Sequence, residues 1–318
     1  MKFTEGLDAD LRSGLLEQIR ILWTHGSNAI EGNTLTLSDT QLVLEYGLTI
    51  GGKTVREHTE IIGHAKAIDK LYELVYNPKM DEGDLMALHR LLMPGEDFSG
   101  MWKQQYNGTT VPAPGGVLQR HNYPAPIKIP DLMAAWMDEF HGYMTKAESS
   151  SADELIIAHA DLHLSFARIH PFQDGNGRMA RLLSNMPIIK GGLPPILYSM
   201  DVRARYIRLL QDYTLAHGRP GSDGKPLNTK DAHFECWRDL CHEQFSKSLN
   251  IIMEFQNLQS ERNSDHGSVP EKDGRNTAIQ AETVGLIKKA EQAQPNAIVS
   301  MPDTPDTVNP SGPKPEDR

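Results

Sequence analysis

The spacing of apolar residues commits most of this chain to helices. Leu155, Ala158, Leu162, Phe166 and Ile169 recur at three- and four-residue steps, the period that gives an α-helix one apolar face. Asp153 and Glu154 stand where a helix start favours acids. The stripe stops at His170-Pro171, because proline pushes the residue before it out of the helical region. Leu182, Leu183, Met186 and Ile189 carry a second helix as far as Gly191-Gly192 and Pro194-Pro195, with a kink expected at Pro187. The same period predicts helices over 11–25, 38–48, 54–76, 81–93, 131–145, 200–216 and 231–257, with Ser38 to Gln41 as one cap. One stretch, 104–128, breaks the rhythm. Thr109-Thr-Val111, a turn containing Gly115-Gly116, and Val117-Leu118 predict a short β-hairpin there. The expected fold class is all-α, a helical bundle carrying one hairpin.

Size and charge narrow the function. A chain of 318 residues can bury a large core. Its formal net charge of −10, without a basic run, argues against nucleic acid as a partner. No apolar stretch approaches the roughly 20 residues of a membrane span, which predicts no membrane partner. Cys236 and Cys241 are its only cysteines; with no apolar leader at the start, a cytoplasmic, reducing location is expected. Beyond about residue 260 the chain turns polar and proline-rich, so 263–318 reads as a mostly disordered tail. Residues 277–293 are its one candidate for a weak amphipathic helix.

Chemistry concentrates in His170-Pro-Phe-Gln-Asp-Gly-Asn-Gly-Arg-Met-Ala-Arg181. Two glycines around Asn176 can turn backbone N–H groups inward, and a helix starting near Gly177 adds its positive end, which makes an anion cradle. Arg178 and Arg181 are three apart and can hold successive phosphates. Asp174 offers oxygen to a magnesium ion, and His170 is the nearby group whose ordinary pKa suits a general base. The segment reads as a phosphate-transfer site on a turn leading into a helix.

That segment resembles the Fic family signature HPFx[DE]GNGRxxR at every fixed position. The resemblance implies a Fic-type helical bundle that moves AMP from ATP to a protein hydroxyl. His170 would deprotonate the target Ser, Thr or Tyr. Asp174 would hold Mg²⁺ (or Mn²⁺). The backbone of Gly175 to Gly177 and the Asn176 side chain would line the α-phosphate, Arg178 the β-phosphate and Arg181 the γ-phosphate. A glycine at 177, where one phosphate-transferring branch has lysine, favours AMP transfer. Upstream, Ser27-Asn-Ala-Ile-Glu31-Gly32-Asn33 is similar to the family's inhibitory pattern [ST]xxxE[GN]N. By resemblance Glu31, on a packed helix, pairs bidentately with Arg181 and denies it to the γ-phosphate.

Further positions follow from the same likeness. The hairpin is the expected flap, with Leu118, Gln119, Arg120 and His121 as its nucleotide-facing edge. Tyr206 falls where the family has a Tyr-Tyr pair at the nucleobase pocket; Ile207 replaces the second tyrosine and Thr214 stands at a neighbouring asparagine position. The implied organisation is N-terminal helices with the inhibitory segment over 1–83, a Fic (Fido) catalytic domain over 84–230, a last helix over 231–262 and the tail. Partners would be ATP, a protein target (or the chain itself) and a second copy in a homodimer. Two alternatives stay open: AMP removal with Glu31 positioning water, and a catalytically silent nucleotide-binding scaffold. His159 and His163 share a helical face, but no fourth ligand has matching spacing; His163 is expected to support the catalytic loop from beneath. His233, Cys236, Cys241 and His242 share no face and read as ordinary core groups.

Overall fold

Helix α6 runs through the middle of the molecule with both of its faces covered. In the computed structural model, which describes residues 2–77, 80–112, 118–220 and 226–265, the order is α1 (Ala9–Ile30), α2 (Leu37–Tyr46), α3 (Val55–Leu74), α4 (Glu82–Leu92), β1 (Gly108–Pro112) and β2 (Leu118–Asn122). There follow α5 (Ile129–Lys146), α6 (Ala152–Ile169), α7 (Asn176–Leu183), α8 (Asn185–Lys190), α9 (Arg203–His217) and α10 (Ala232–Asp265). The tail after Asp265, the helix expected at 277–293 and Val117 of the hairpin lie outside the described residues.

One face of α6 offers Leu162, Phe166 and Ile169 to a core shared with Leu11, Ile19, Ile68, Leu88, Phe140 and Phe172. The other offers Ile156, Ala160 and Leu164 to Tyr206, Phe234 and Trp237. Two tryptophans fasten it from opposite sides: Trp136 of α5 donates to the Leu162 carbonyl at 3.1 Å, and Trp237 of α10 donates to the Ala160 carbonyl at 3.0 Å. With no polar face to spare, α6 holds its own C-terminus, and so His170, at a fixed place.

Helix starts are set locally. Capping boxes open α2 (Thr36 with Asp39), α3 (Thr54 with Glu57), α4 (Asp81 with Asp84) and α6 (Ser151 with Glu154). The cap expected at Ser38 is therefore Thr36, whose box partner Asp39 lies inside the predicted helix. Pro187 acts as anticipated: without an N–H it cannot bond to the Leu183 carbonyl, and the chain divides into α7 and α8 around Ser184. The hairpin is antiparallel with Thr109 opposite His121. Helix α1 continues past the predicted residue 25 to Ile30 and ends within the segment that resembles the inhibitory pattern, with Glu31 as its C-cap.

Candidate active site

His170 is the only non-glycine residue with positive φ (52°) among the described residues. It closes α6 in the left-handed conformation, with its N–H bonded to the Phe166 carbonyl at 2.9 Å. Such a geometry costs about 1–3 kcal/mol and persists only where its surroundings enforce it. Here they do. His170 Nδ1 donates to the Ala167 carbonyl (3.3 Å), a group that can only accept, so Nε2 is left as the free lone pair. Tyr123, just beyond β2, stacks on the imidazole at 3.7 Å between centroids and 4° between planes. Burial, and secondarily the Lys103 cation, push the His170 pKa down to about 3. The ring is therefore neutral.

The loop after His170 is braced from three sides. Asn176 accepts from the Phe172 N–H and donates to the Phe172 carbonyl, each at 2.9 Å. Asn107 donates to that same carbonyl (3.1 Å) and accepts from Lys103 Nζ (2.7 Å). Lys103 is itself buried, which lowers its pKa to about 8. From α4, His89 accepts the Gly100 N–H at Nδ1, so its Nε2 donates to the Asp174 carbonyl at 3.0 Å. Its ring stacks on Phe172 at 3.8 Å. Asn176, expected to line a phosphate with its side chain, is spent on the loop; among the described residues its amide contacts are internal to the turn. His163 does not support this loop either. That duty falls to His89 and Asn107, neither of which has a local sequence signal.

Gly175 (φ 76°) makes the turn into α7. The first-turn amides of α7 have no acceptor within the helix, so Asn176, Gly177 and Arg178 present N–H groups at its positive end. The exposed Asp174 accepts the Gly175 N–H at Oδ1, leaving Oδ2 outward.

Beneath the turn the two arginines part company. Arg178 is buried against Met93 Sδ (3.0 Å), with Glu60 Oε1 at 3.7 Å. Arg181, 1% exposed, spreads its donors over two helices. Nε reaches Ser27 Oγ (3.0 Å), and Nη2 reaches the Ser27 carbonyl (2.8 Å) and Glu31 Oε1 (2.7 Å). Nη1 reaches the Tyr206 hydroxyl at 3.0 Å. The pair with Glu31 thus runs through one carboxylate oxygen, where a bidentate pair was expected. The reason is position: Glu31 is the C-cap of α1, not a residue of its body, and Ser27 already takes Nε and shares Nη2 of the guanidinium. Gly177 allows this approach, since a Cβ there would lie 2.3 Å from Glu31 Oε1.

The rest of the inhibitory segment ties α1 to its neighbours. Asn33 donates to the Glu57 carbonyl and to Glu60 Oε2, Gly32 turns the chain at φ 99°, and Arg203 at the start of α9 donates to the Ile30 carbonyl at 2.8 Å. His64 of α3, fully buried, lies close enough to both arginines that they help burial drive its pKa well down.

Between hairpin and α9 an open pocket is lined by Thr109, Val111, Tyr123, Ile207, Leu210 and Thr214, among others. Ile207 and Thr214, the two departures from the family pattern, face it. Tyr206, expected to line the nucleobase pocket, is 3% exposed and turns inward to Arg181. On β2, Leu118, Gln119 and Arg120 are exposed and His121 is half-buried. His159 donates to or accepts from Tyr198 and Cys241 contacts the same hydroxyl, while His233 stands by Asp231.

Known proteins bear on this geometry. Residues 79–188 match the Fic/DOC family. Protein adenylyltransferase fic-1 of Caenorhabditis briggsae is 33% identical over 214 residues, 65% of this chain and 39% of that protein. Protein adenylyltransferase Fic of Drosophila virilis is 34% identical over 190 residues, 58% of this chain and 36% of that protein. The chain thus spans less than half the length of these curated relatives. A Fic domain containing signaling protein from Bacteroides thetaiotaomicron superposes with a TM-score of 0.68 at 23% identity, covering 86% of this chain and 97% of its own. Over residues 79–188, then, this chain is similar to the Fic/DOC family, and its fold is like that of a solved Fic-domain protein.

Proposed function

We propose that the protein moves AMP from ATP to a hydroxyl group of a protein target, and that Glu31 restrains the reaction by occupying Arg181. One observation carries this reading. A desolvated arginine at the base of the anion cradle has its charge met by a carboxylate 150 positions upstream, at 2.7 Å. The relatives named protein adenylyltransferase support it.

The chemistry follows from the residues. The backbone around Gly175 to Gly177, with its free amides at Asn176 and Gly177, receives the α-phosphate, Arg178 the β-phosphate and Arg181 the γ-phosphate, once Glu31 has withdrawn. The acceptor O–H gives its proton to His170 Nε2 as its oxygen bonds to the α-phosphorus. The bond from that phosphorus to the bridging oxygen breaks, and pyrophosphate leaves with the electron pair. Alignment and charge neutralisation supply most of such catalysis. The exposed outer edge of β2, from Leu118 to His121, would position the target segment by strand pairing. Asp174 suits Mg²⁺ or Mn²⁺: one carboxylate with an outward oxygen beside substrate phosphates is a common magnesium arrangement. Such an ion would neutralise charge on the phosphates.

Intact-protein mass spectrometry of Glu31→Gly after incubation with ATP and Mg²⁺ tests the reading. An added AMP on the chain or on a supplied target, above the wild-type level, is expected. Added phosphate, or labelling no higher than wild type, sinks it. AMP removal is a second reading, favoured by the Glu31 side chain being 41% exposed and using only Oε1 on Arg181. The other oxygen is then available to orient water, and wild type offered AMP-modified protein would release AMP.

A further inference from the structure

Arg181 is held from two directions that belong to different helices. The α1 side supplies Ser27, buried in the helix, and Glu31, whose carboxylate is the contact that withdraws on the functional reading above. The α9 side supplies Tyr206 alone. Arginine only donates, so the Tyr206 oxygen accepts from Nη1, and its own proton needs an acceptor. His163 Nε2, 2.9 Å away, is the atom placed to take that role. The imidazole is immobilised in turn: Trp237 of α10 packs on it at 4.7 Å and Tyr206 meets it edge-on at 5.6 Å. Burial keeps it neutral, with nearby His159 and Arg181 acting in the same direction. A charged ring here would repel Arg181 instead of accepting from the tyrosine.

We propose that Tyr206, oriented by His163, is the positioning residue that keeps Arg181 aimed at the terminal phosphate after Glu31 withdraws. Freed from Glu31, the end of the arginine regains freedom that binding must remove again. One fixed hydrogen bond from a rigid tyrosine limits that loss. The inference rests on the functional reading above and deepens it: Tyr206 discriminates by phosphate number, through Arg181, and not by stacking on a base.

The test uses the full chain in the Glu31→Gly background, with calorimetry of ATP and of AMP in Mg²⁺. Tyr206→Phe keeps the ring and removes the acceptor. A charge-assisted hydrogen bond is lost, so the ATP dissociation constant is expected to rise about tenfold, with AMP within about twofold of the parent. His163→Leu should reproduce this selective loss, and His163→Gln, which keeps an acceptor, should restore ATP binding. Unchanged ATP affinity in Tyr206→Phe overturns the proposal. So does equal weakening of ATP and AMP, the pattern of a base-lining or merely structural role. A parent that binds no ATP removes the functional reading as well, whereas a parent that binds while Tyr206→Phe binds equally removes this inference alone.

Discussion

The turn from His170 to Asn176 and the end of α1 from Ser27 to Asn33 both face the anion cradle, yet they are secured in opposite ways. The turn is held by hydrogen bonds from His89, Asn107 and its own Asn176, all to backbone groups of Phe172 and Asp174. Opening it would strand several polar groups at once, each costing about 1–3 kcal/mol. At the α1 end Ser27 meets Arg181 through its buried hydroxyl and carbonyl, while Glu31 meets it through one carboxylate oxygen on a side chain that water already reaches. A half-exposed acid can exchange Arg181 for solvent at little cost, and a triphosphate competes for that arginine with more charge. On the proposed function, the reacting groups sit on the rigid element and the restraint on the releasable one.

Three changes would break or sharpen this contrast, beyond those already named. The largest is His170→Ala in the Glu31→Gly background. Loss of the base should lower AMP transfer by about 10²–10⁴-fold while ATP binding by calorimetry is retained. If transfer persisted, the turn would be a scaffold and not the reacting element. Next is Asn176→Ala, which removes both bonds to Phe172. It should lower unfolding stability by about 2–4 kcal/mol in a denaturant titration and depress transfer with it. A loss confined to ATP affinity would mean that the side chain serves the phosphates after all.

The smallest effect concerns pH. His170 works as a base only when neutral, so its rate contribution is present above its pKa and lost as pH falls through it. With that pKa down at about 3, kcat/KM in the Glu31→Gly background should show no acid limb near pH 6.5, the ordinary histidine range. Lys103→Met removes a neighbouring cation that depresses this pKa, leaving burial in place. The acid limb should then move to higher pH, by a fraction of a unit to about one. An unshifted profile would show that Lys103 acts only by bracing Asn107.

Much of this was legible before any fold was in view, for identifiable reasons. Helices announced themselves because one face must be apolar and the period is 3.6; α6 and α10 are cases where pattern and burial coincide. His170, Asp174 and the two arginines stood out as candidates because a phosphate site would need such groups within one turn and one helix. The contact between Glu31 and Arg181 could be expected only by likeness to a family, since nothing local links positions 150 apart. His89, Asn107 and Tyr123 escaped notice because a histidine, an asparagine and a tyrosine in separate segments carry no periodic signal. Tyr206 was assigned to the wrong side of α9, because neighbouring positions 206 and 207 point about 100° apart on a helix and only packing says which one looks outward.

Local rules in the sequence therefore determined which segments are helices, where the hairpin falls and which twelve residues are the candidates for an anion cradle, because capping, proline and apolar spacing act over a few positions. Tertiary structure alone decided how the imidazole is oriented, that Glu31 reaches Arg181 through one oxygen, and that Tyr206 and His163 stand behind that arginine. Those outcomes depend on distances between helices far apart in the chain, and such distances are set by how side chains fill the space between them.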